Sequence, residues 1–308
     1  MAKLRRTLAP SLMNRVAFLG LGAIGAPMAR HLARRYDLAV WNRTTSRAVA
    51  FASTYHGATQ ARTPAEAVAG RDIIITCLPT SHEVDGLLGG AEGLLAGLQR
   101  GALVIDCTSG DPDSSRRIAA RLADAGVGFI DAPVSGGVSG AEQGTLTVMC
   151  GGSAANVETA RPVLEAFGKK IVHCGDVGSG DAIKAVNNAM LAVHIWAAAE
   201  GFAALTKSGV NAKIALDVIN SSSGRSNTSE NLFPERVLTR AFPRTFRLAL
   251  LDKDVRIAAD FARGQKVPSP LLQLTSELFR AARIALGEEA DHVEAVKIVE
   301  QWAGTEIR

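Results

Sequence analysis

The stretch Val16-Ala-Phe-Leu-Gly20-Leu-Gly22-Ala-Ile-Gly25-Ala-Pro-Met-Ala-Arg30 sets four strand-like residues before a GxGxxG pattern and a helix-forming run behind it. A glycine pattern alone says little. Placed between a strand and a helix, it predicts a dinucleotide-binding turn. Gly20 suits the tight turn, Gly22 lets the backbone approach a pyrophosphate, and Gly25 lets helix and strand pack closely. Leu21, Ala23 and Ile24 complete the candidate cofactor loop, whose amides at a helix start face phosphate.

The end of the next strand is where such sites choose between dinucleotides. Asp or Glu there holds the ribose hydroxyls and repels a 2′-phosphate. This chain reads Val40-Trp41-Asn42-Arg43-Thr44 instead, with no carboxylate. Arg43 can meet a phosphate with charge-assisted, bidentate hydrogen bonds, helped by the Asn42 amide and the Thr44 hydroxyl. NADP is therefore the expected cofactor in preference to NAD. Arg47, one helical turn on, reads equally well as a solvated surface side chain.

Between residues 15 and 175, the apolar runs RVAFL, DLAVW, DIIIT, ALVID, GFIDA, TLTVMC and KIVHC are separated by helical patterns. Such alternation predicts βαβ units. The first runs are almost unbroken in Val, Ile, Leu and Ala, the composition of parallel strands covered by helices on both faces. From about Gly180 helical patterns take over, at 180–207, 211–219, 247–263, 269–285 and 291–302. Glycine usage shifts at the same place, with 24 of the 30 glycines in residues 1–180. Tight turns need glycine and packed helices avoid it. The expected architecture is an α/β dinucleotide-binding domain over 14–177 followed by an all-α helical domain over 178–308, joined by a long interdomain helix.

With 308 residues, 47% hydrophobic, 21% charged and 5% aromatic, the chain falls outside the disordered, collagenous and disulfide-scaffold classes. Its formal charge of +4 suggests anionic partners until it is located. Lys3, Arg5, Arg6 and Arg15 account for all of it, because residues 16–308 hold 30 basic and 30 acidic groups. No basic stripe with interleaved aromatics points to nucleic acid. Residues 1–13 read as a disordered or artefactual N-terminal tail, with Met13 as an alternative start. No membrane span is expected, since the longest uncharged helical stretch, Ala185–Ala199, is short and holds Asn187, Asn188 and His194. Cys77, Cys107, Cys150 and Cys174 stand alone without a CxxC, as reduced thiols of a cytoplasmic protein do. The six histidines show no HxxH or HExxH spacing, so no metal site is expected.

Three more segments close strands at the edge where open α/β sheets bind ligands. They are Thr76-Cys-Leu78-Pro79-Thr80, Asp106-Cys-Thr108-Ser109-Gly110 and Asp131-Ala-Pro-Val-Ser135-Gly136-Gly137-Val-Ser-Gly140. In the last, exposed backbone amides together with Ser135 can cradle a carboxylate; a plain turn is the other reading. In Gly178-Ser-Gly-Asp-Ala-Ile-Lys184-Ala-Val-Asn187-Asn188, Lys184 and Asn188 share a helix face one turn apart. A helical lysine is ordinarily solvated. Here it heads an apolar helix at the domain joint, where its ammonium could give a proton to a carbonyl oxygen as hydride reaches the carbon.

Taken together, GLGAIG, DAPVSGGVSGAEQGTLTVMCGG, GSGDAIKAVNN and Phe246-Arg-Leu-Ala-Leu-Leu-Asp-Lys253-Asp254 resemble the β-hydroxyacid dehydrogenases. That group includes 3-hydroxyisobutyrate dehydrogenase, tartronate semialdehyde reductase and glyoxylate/succinic semialdehyde reductase. The resemblance spans about residues 14–302 and implies a Rossmann domain joined to a helical domain that dimerises, often into tetramers. It implies Lys184 as acid/base, Asn188 on the substrate oxygen, Ser135, Gly136 and Gly137 as the substrate loop, and Thr108 near nicotinamide and substrate. It also implies that Leu78 and Pro79 line the cofactor, that Lys253 reaches back to it, and that Phe246 and Asp254 help close the cleft. The implied reaction interconverts a small β-hydroxy acid and its semialdehyde. Asn220-Ser-Ser-Ser-Gly224-Arg225-Ser226 resembles a loop of the 3-hydroxyisobutyrate-like and threonate-like branches, although Asn227 stands where they usually carry tryptophan. Asn42-Arg43-Thr44 is more typical of semialdehyde reductases and imine reductases. Imine reduction is thus a second reading, and a non-catalytic NADP-binding module a third. Lys184 speaks against both, and the complete DAPVSGG loop against the second.

Overall fold

The computed structural model describes residues 15–308; the tail and Met13 lie outside them. Arg15 does not belong with the basic head. It opens the first strand and donates two hydrogen bonds to Asp72, at 3.0 and 3.3 Å. The chain divides into two units, one ending at Gly180 and the other running from Asp181 to Arg308, slightly past the expected boundary at 177.

The first unit runs β1 (Arg15–Leu19), α1 (Gly25–Ala33), β2 (Asp37–Trp41), α2 (Thr45–Thr54), β3 (Ala58–Gln60), α3 (Pro64–Val68), β4 (Ile73–Thr76) and α4 (Ser81–Leu88). It continues α5 (Leu94–Gly97), β5 (Leu103–Asp106), α6 (Pro112–Asp124), β6 (Gly128–Asp131), β7 (Val134–Ser135), α7 (Gly137–Gln143), β8 (Leu146–Gly151), α8 (Ala154–Leu164) and β9 (Gly168–Gly175). Six strands lie parallel in the order β3-β2-β1-β4-β5-β6. That order puts a binding crevice at the strand ends where its direction reverses, between β1 and β4. β8 runs antiparallel to β6 and β7, and β9 parallel to β8. Sequence patterning predicts neither β3 nor β7, which are three and two residues long and too short to show a period.

Alternation along the strands explains their unbroken apolar runs. Phe18, Ile73, Ile75, Ile105 and Ile130 share one core with Met28, Leu32 and Leu164, whereas Leu19, Ile74, Val104 and Phe129 share another with Val84, Leu88 and Ile118. A sheet covered on both faces has no polar side to alternate with.

The helices continue as α9 (Ser179–Lys207), α10 (Ala212–Asn220), a π-helix (Thr228–Val237), α11 (Leu248–Gly264), α12 (Pro270–Leu286), a 3-10 turn (His292–Ala295) and α13 (Val296–Ala303). The first four expected helices recur within a residue, whereas the fifth, expected over 291–302, is split into the 3-10 turn and α13. The π-helix is additional: Leu238 N donates to Phe233 O, five residues back, at 3.0 Å. By length and composition alone, α9 with its 29 residues could cross a membrane, so the short uncharged stretch understates it. Its inward face, Ala185, Ala189, Ala192, Ile195, Trp196 and Ala199, instead belongs to the core of the second unit with Phe233, Leu251 and Phe279.

Candidate active site

The glycine loop is built as its spacing demands. Gly20 stands at φ +109°, and a side chain there would strike the Cys77 carbonyl oxygen; one at Gly25 would strike the carbonyl oxygen of Gly20. Gly22 faces open space, with nothing within 4 Å of a Cβ added there. That is the room a pyrophosphate needs beside the start of α1. Asn42 is already engaged, since its Oδ1 accepts from Leu21 N at 2.9 Å and its Nδ2 donates to Thr44 O at 3.1 Å. The amide expected to help with the phosphate thus ties the cofactor loop to the end of β2. Arg43, Thr44 and Arg47 are exposed at the start of α2.

At the ends of β4 and β5, Leu78 N donates to Thr108 Oγ1 at 3.0 Å, joining two residues expected on the cofactor side. The neighbouring Asp106 is only 1% exposed. Its Oδ1 accepts from Thr76 Oγ1 at 2.8 Å and from Thr108 N at 3.0 Å. Burial pushes its carboxyl up to about 6, against the pull of hydrogen bonds from Thr108 and Thr76. On the expected substrate loop, Ser135 pairs with Thr147 of β8. Gly136 and Gly137 follow at φ +133° and +63°, conformations that glycine adopts freely and that leave the backbone bare of side chains. Asp131 is buried and accepts from Gly178 N at 2.7 Å, fixing the chain just before α9.

In the second unit Lys184 and Asn188 lie one turn apart on α9, both buried. Burial pushes the Lys184 ammonium down, Asp254 pulls it up and Lys253 lowers it further. Asn188 Nδ2 donates to Asp254 Oδ2 at 2.6 Å, while its Oδ1 accepts from Asn187 Nδ2 at 3.0 Å. Lys253 Nζ lies 3.0 Å from Asp254 Oδ1. Lys184, Asn188, Lys253 and Asp254 are thereby brought together. Phe246 has other neighbours, with its ring centroid 5.3 Å from that of His292 and its amide donating to Asp291 Oδ2 at 3.2 Å. A buried lysine with a lowered pKa can exchange a proton with a reacting oxygen.

Sequence reading placed Asp106 and Asp131 at the ligand edge without giving either a role, and did not reach Asp291. The first two had a readable signal, because each is a carboxylate ending an apolar strand. Asp291 had none.

A parallel sheet with a dinucleotide turn at its switch point, followed by helices carrying a buried Lys-Asn-Asp cluster, is the architecture of a nicotinamide-dependent dehydrogenase. Residues 15–175 match the NAD binding domain of 6-phosphogluconate dehydrogenase, and residues 178–299 the NAD-binding domain of NADP-dependent 3-hydroxyisobutyrate dehydrogenase. The chain is 34% identical over 294 residues to 2-(hydroxymethyl)glutarate dehydrogenase of Eubacterium barkeri, covering 95% of this chain and 97% of that one. It is 37% identical over 275 residues to NAD-dependent L-serine dehydrogenase of Pseudomonas aeruginosa, covering 87% and 92%. The structure of Mycobacterium tuberculosis 3-hydroxyisobutyrate dehydrogenase with L-serine matches with a TM-score of 0.84 at 31% identity, over 94% of this chain and 99% of that one. The chain belongs to the β-hydroxyacid dehydrogenase family and is an NAD(P)-dependent dehydrogenase of hydroxy acids.

Proposed function

We propose that this enzyme is an NADP-dependent oxidoreductase interconverting a small β-hydroxy acid, 3-hydroxyisobutyrate-like in size and charge, and its semialdehyde. The observation that carries the reading is the buried Lys184, one helical turn from an Asn188 whose amide is oriented by Asp254. When bound, the nicotinamide supplies or removes the hydride. In reduction Lys184 Nζ gives its proton to the carbonyl oxygen, leaving an alcohol and a neutral amine that solvent reprotonates; in oxidation it takes the proton back. Burial eases this exchange by lowering the affinity of the amine for its proton. Asn188 holds the same oxygen through the Nδ2 hydrogen not given to Asp254. Ser135 with the Gly136 and Gly137 amides takes the substrate carboxylate.

Arg43 and Thr44 take the 2′-phosphate, which no carboxylate at the end of β2 repels. Thr108, Leu78 and Pro79 line the nicotinamide side. Unpaired thiols at all four cysteines support a cytoplasmic setting. Exposed apolar residues on α9 support a homodimer or homotetramer.

Lys184→Met should lower turnover by about a hundredfold or more while NADPH affinity, read by fluorescence, stays unchanged; undiminished turnover defeats the reading. Glyoxylate, succinic semialdehyde, tartronate semialdehyde, 3-hydroxyisobutyrate, L-serine and cyclic imines should be assayed with both cofactors. Activity is expected on the carboxylates only and with higher kcat/KM for the NADP couple. Turnover of neutral imines, or a clear preference for NAD, overturns the corresponding part.

A further inference from the structure

We propose that Asp106 is a positioning residue that holds the Thr108–Leu78 wall of the first unit in place while ionised and releases it on taking up a proton. The inference rests on the cofactor-lining roles proposed above for Thr108 and Leu78. Its basis is a row of polar side chains at paired end positions of β4, β5 and β6, namely Thr76, Asp106 and Asp131. One oxygen of Asp106, Oδ1, receives both the Thr76 hydroxyl and the Thr108 amide. The other, Oδ2, is shielded from solvent and accepts from no protein group among the described residues.

A half-satisfied buried carboxylate is an expensive way to accept two hydrogen bonds, and a neutral amide would do it at less cost. What ionisation adds is strength, since charge-assisted bonds hold both donors more firmly. Fixing Thr108 N fixes its hydroxyl, and through Oγ1 the Leu78 amide.

The titratable groups around this carboxyl are Cys77 beyond β4, Cys107 beyond β5 and Asp131 on β6. None is a cation. Burial pushes the Cys77 thiol up to about 12 and the Cys107 thiol well above its ordinary value, so both stay neutral, and Asp131 disfavours a second charge. The carboxyl therefore changes state at about pH 6, inside the range where the enzyme can be assayed.

The test is calorimetric titration of the full chain with NADP+, and with NAD+ as a probe lacking the 2′-phosphate, from pH 5 to pH 8. Wild type is compared with Asp106→Asn, Asp106→Ala and Thr76→Val. Wild-type affinity should fall several-fold as pH drops through about 6, and Asp106→Asn should flatten that part of the profile. Thr76→Val, which removes a donor to the carboxylate, should move the fall to higher pH, and Asp106→Ala should bind weakly throughout. The 2′-phosphate titrates alike in every protein, so differences between variants belong to Asp106. Superimposable profiles for wild type and a folded Asp106→Asn, or an unshifted Thr76→Val, overturn the proposal. Because no substrate is present, failure here leaves the Lys184 reading intact, and a failed substrate panel leaves this proposal standing.

Discussion

Burying Asp106 works against the folded state. Its carboxyl titrates at about 6 in the fold against an ordinary 3.8, so on lowering the pH the native protein takes up this proton before the unfolded chain does. The penalty is full above about pH 6 and gone below about pH 4, and is on the order of 3 kcal/mol. Asp106→Asn should therefore raise Tm at pH 8, with the gain vanishing as pH falls toward 4; calorimetry showing a pH-independent offset would contradict this. Arg43 sits at the other extreme, exposed and proposed above to take the 2′-phosphate. Arg43→Ala should weaken NADP+ binding about tenfold to a hundredfold, the worth of hydrogen bonds to a charged group, and leave NAD+ binding nearly unchanged by calorimetry. The residues legible in the sequence were those whose meaning is local. Gly20, Gly22 and Gly25 are read from one turn, and Lys184 with Asn188 from one helical repeat. The Asp254 contact that orients Asn188 crosses 66 residues, and no spacing rule reaches that far.

Among the elements, the start of α11 is held from outside. Asp291, wholly buried, accepts from Thr245 N at 3.0 Å, Phe246 N at 3.2 Å, Val293 N at 3.1 Å and Arg236 Nη1 at 3.2 Å. Burial would raise its carboxyl, but the hydrogen bond and charge of His292, with the Thr245 and Val293 amides, hold it far below the ordinary range. Its contribution to stability is thus complete above the ordinary carboxylate pKa and is lost as pH falls toward the lowered value. Asp291→Ala leaves Arg236 without its buried partner and should cost about 3–5 kcal/mol. Urea unfolding followed by Trp196 and Trp302 fluorescence measures the loss, which should shrink in acid; a change confined to the surface range of a few tenths would refute the role. The π-helix that supplies Arg236 escaped sequence reading for a physical reason. It carries only three apolar residues, Leu232, Phe233 and Val237, too few to establish a period, and Pro234 reads as a helix breaker.

At the scale of the whole molecule, the two kinds of architecture were legible because they draw on different residues, with glycine-rich turns before Gly180 and alanine-rich packing after it. How chains assemble was carried only by the resemblance, since burial cannot be read from apolarity on a helix that is apolar nearly all round. In the structure, Ile183, Val186 and Met190 lie along α9 at 46%, 37% and 53% exposure, an apolar strip suited to a second copy of the chain. Met190→Glu should lower the mass of the proposed dimer or tetramer in light scattering; an unchanged mass overturns this placement of an interface. The π-helix also limits how this protein can change length. Deleting one residue within Thr228–Val237 would allow ordinary α-helical winding but would swing the downstream side chains by about 100° around the axis. Arg236 would then leave Asp291, and the grip on Thr245 and Phe246 would lose its cation. A change of length inside the winding is therefore expected to cost more stability than a substitution there, because it displaces every side chain that follows.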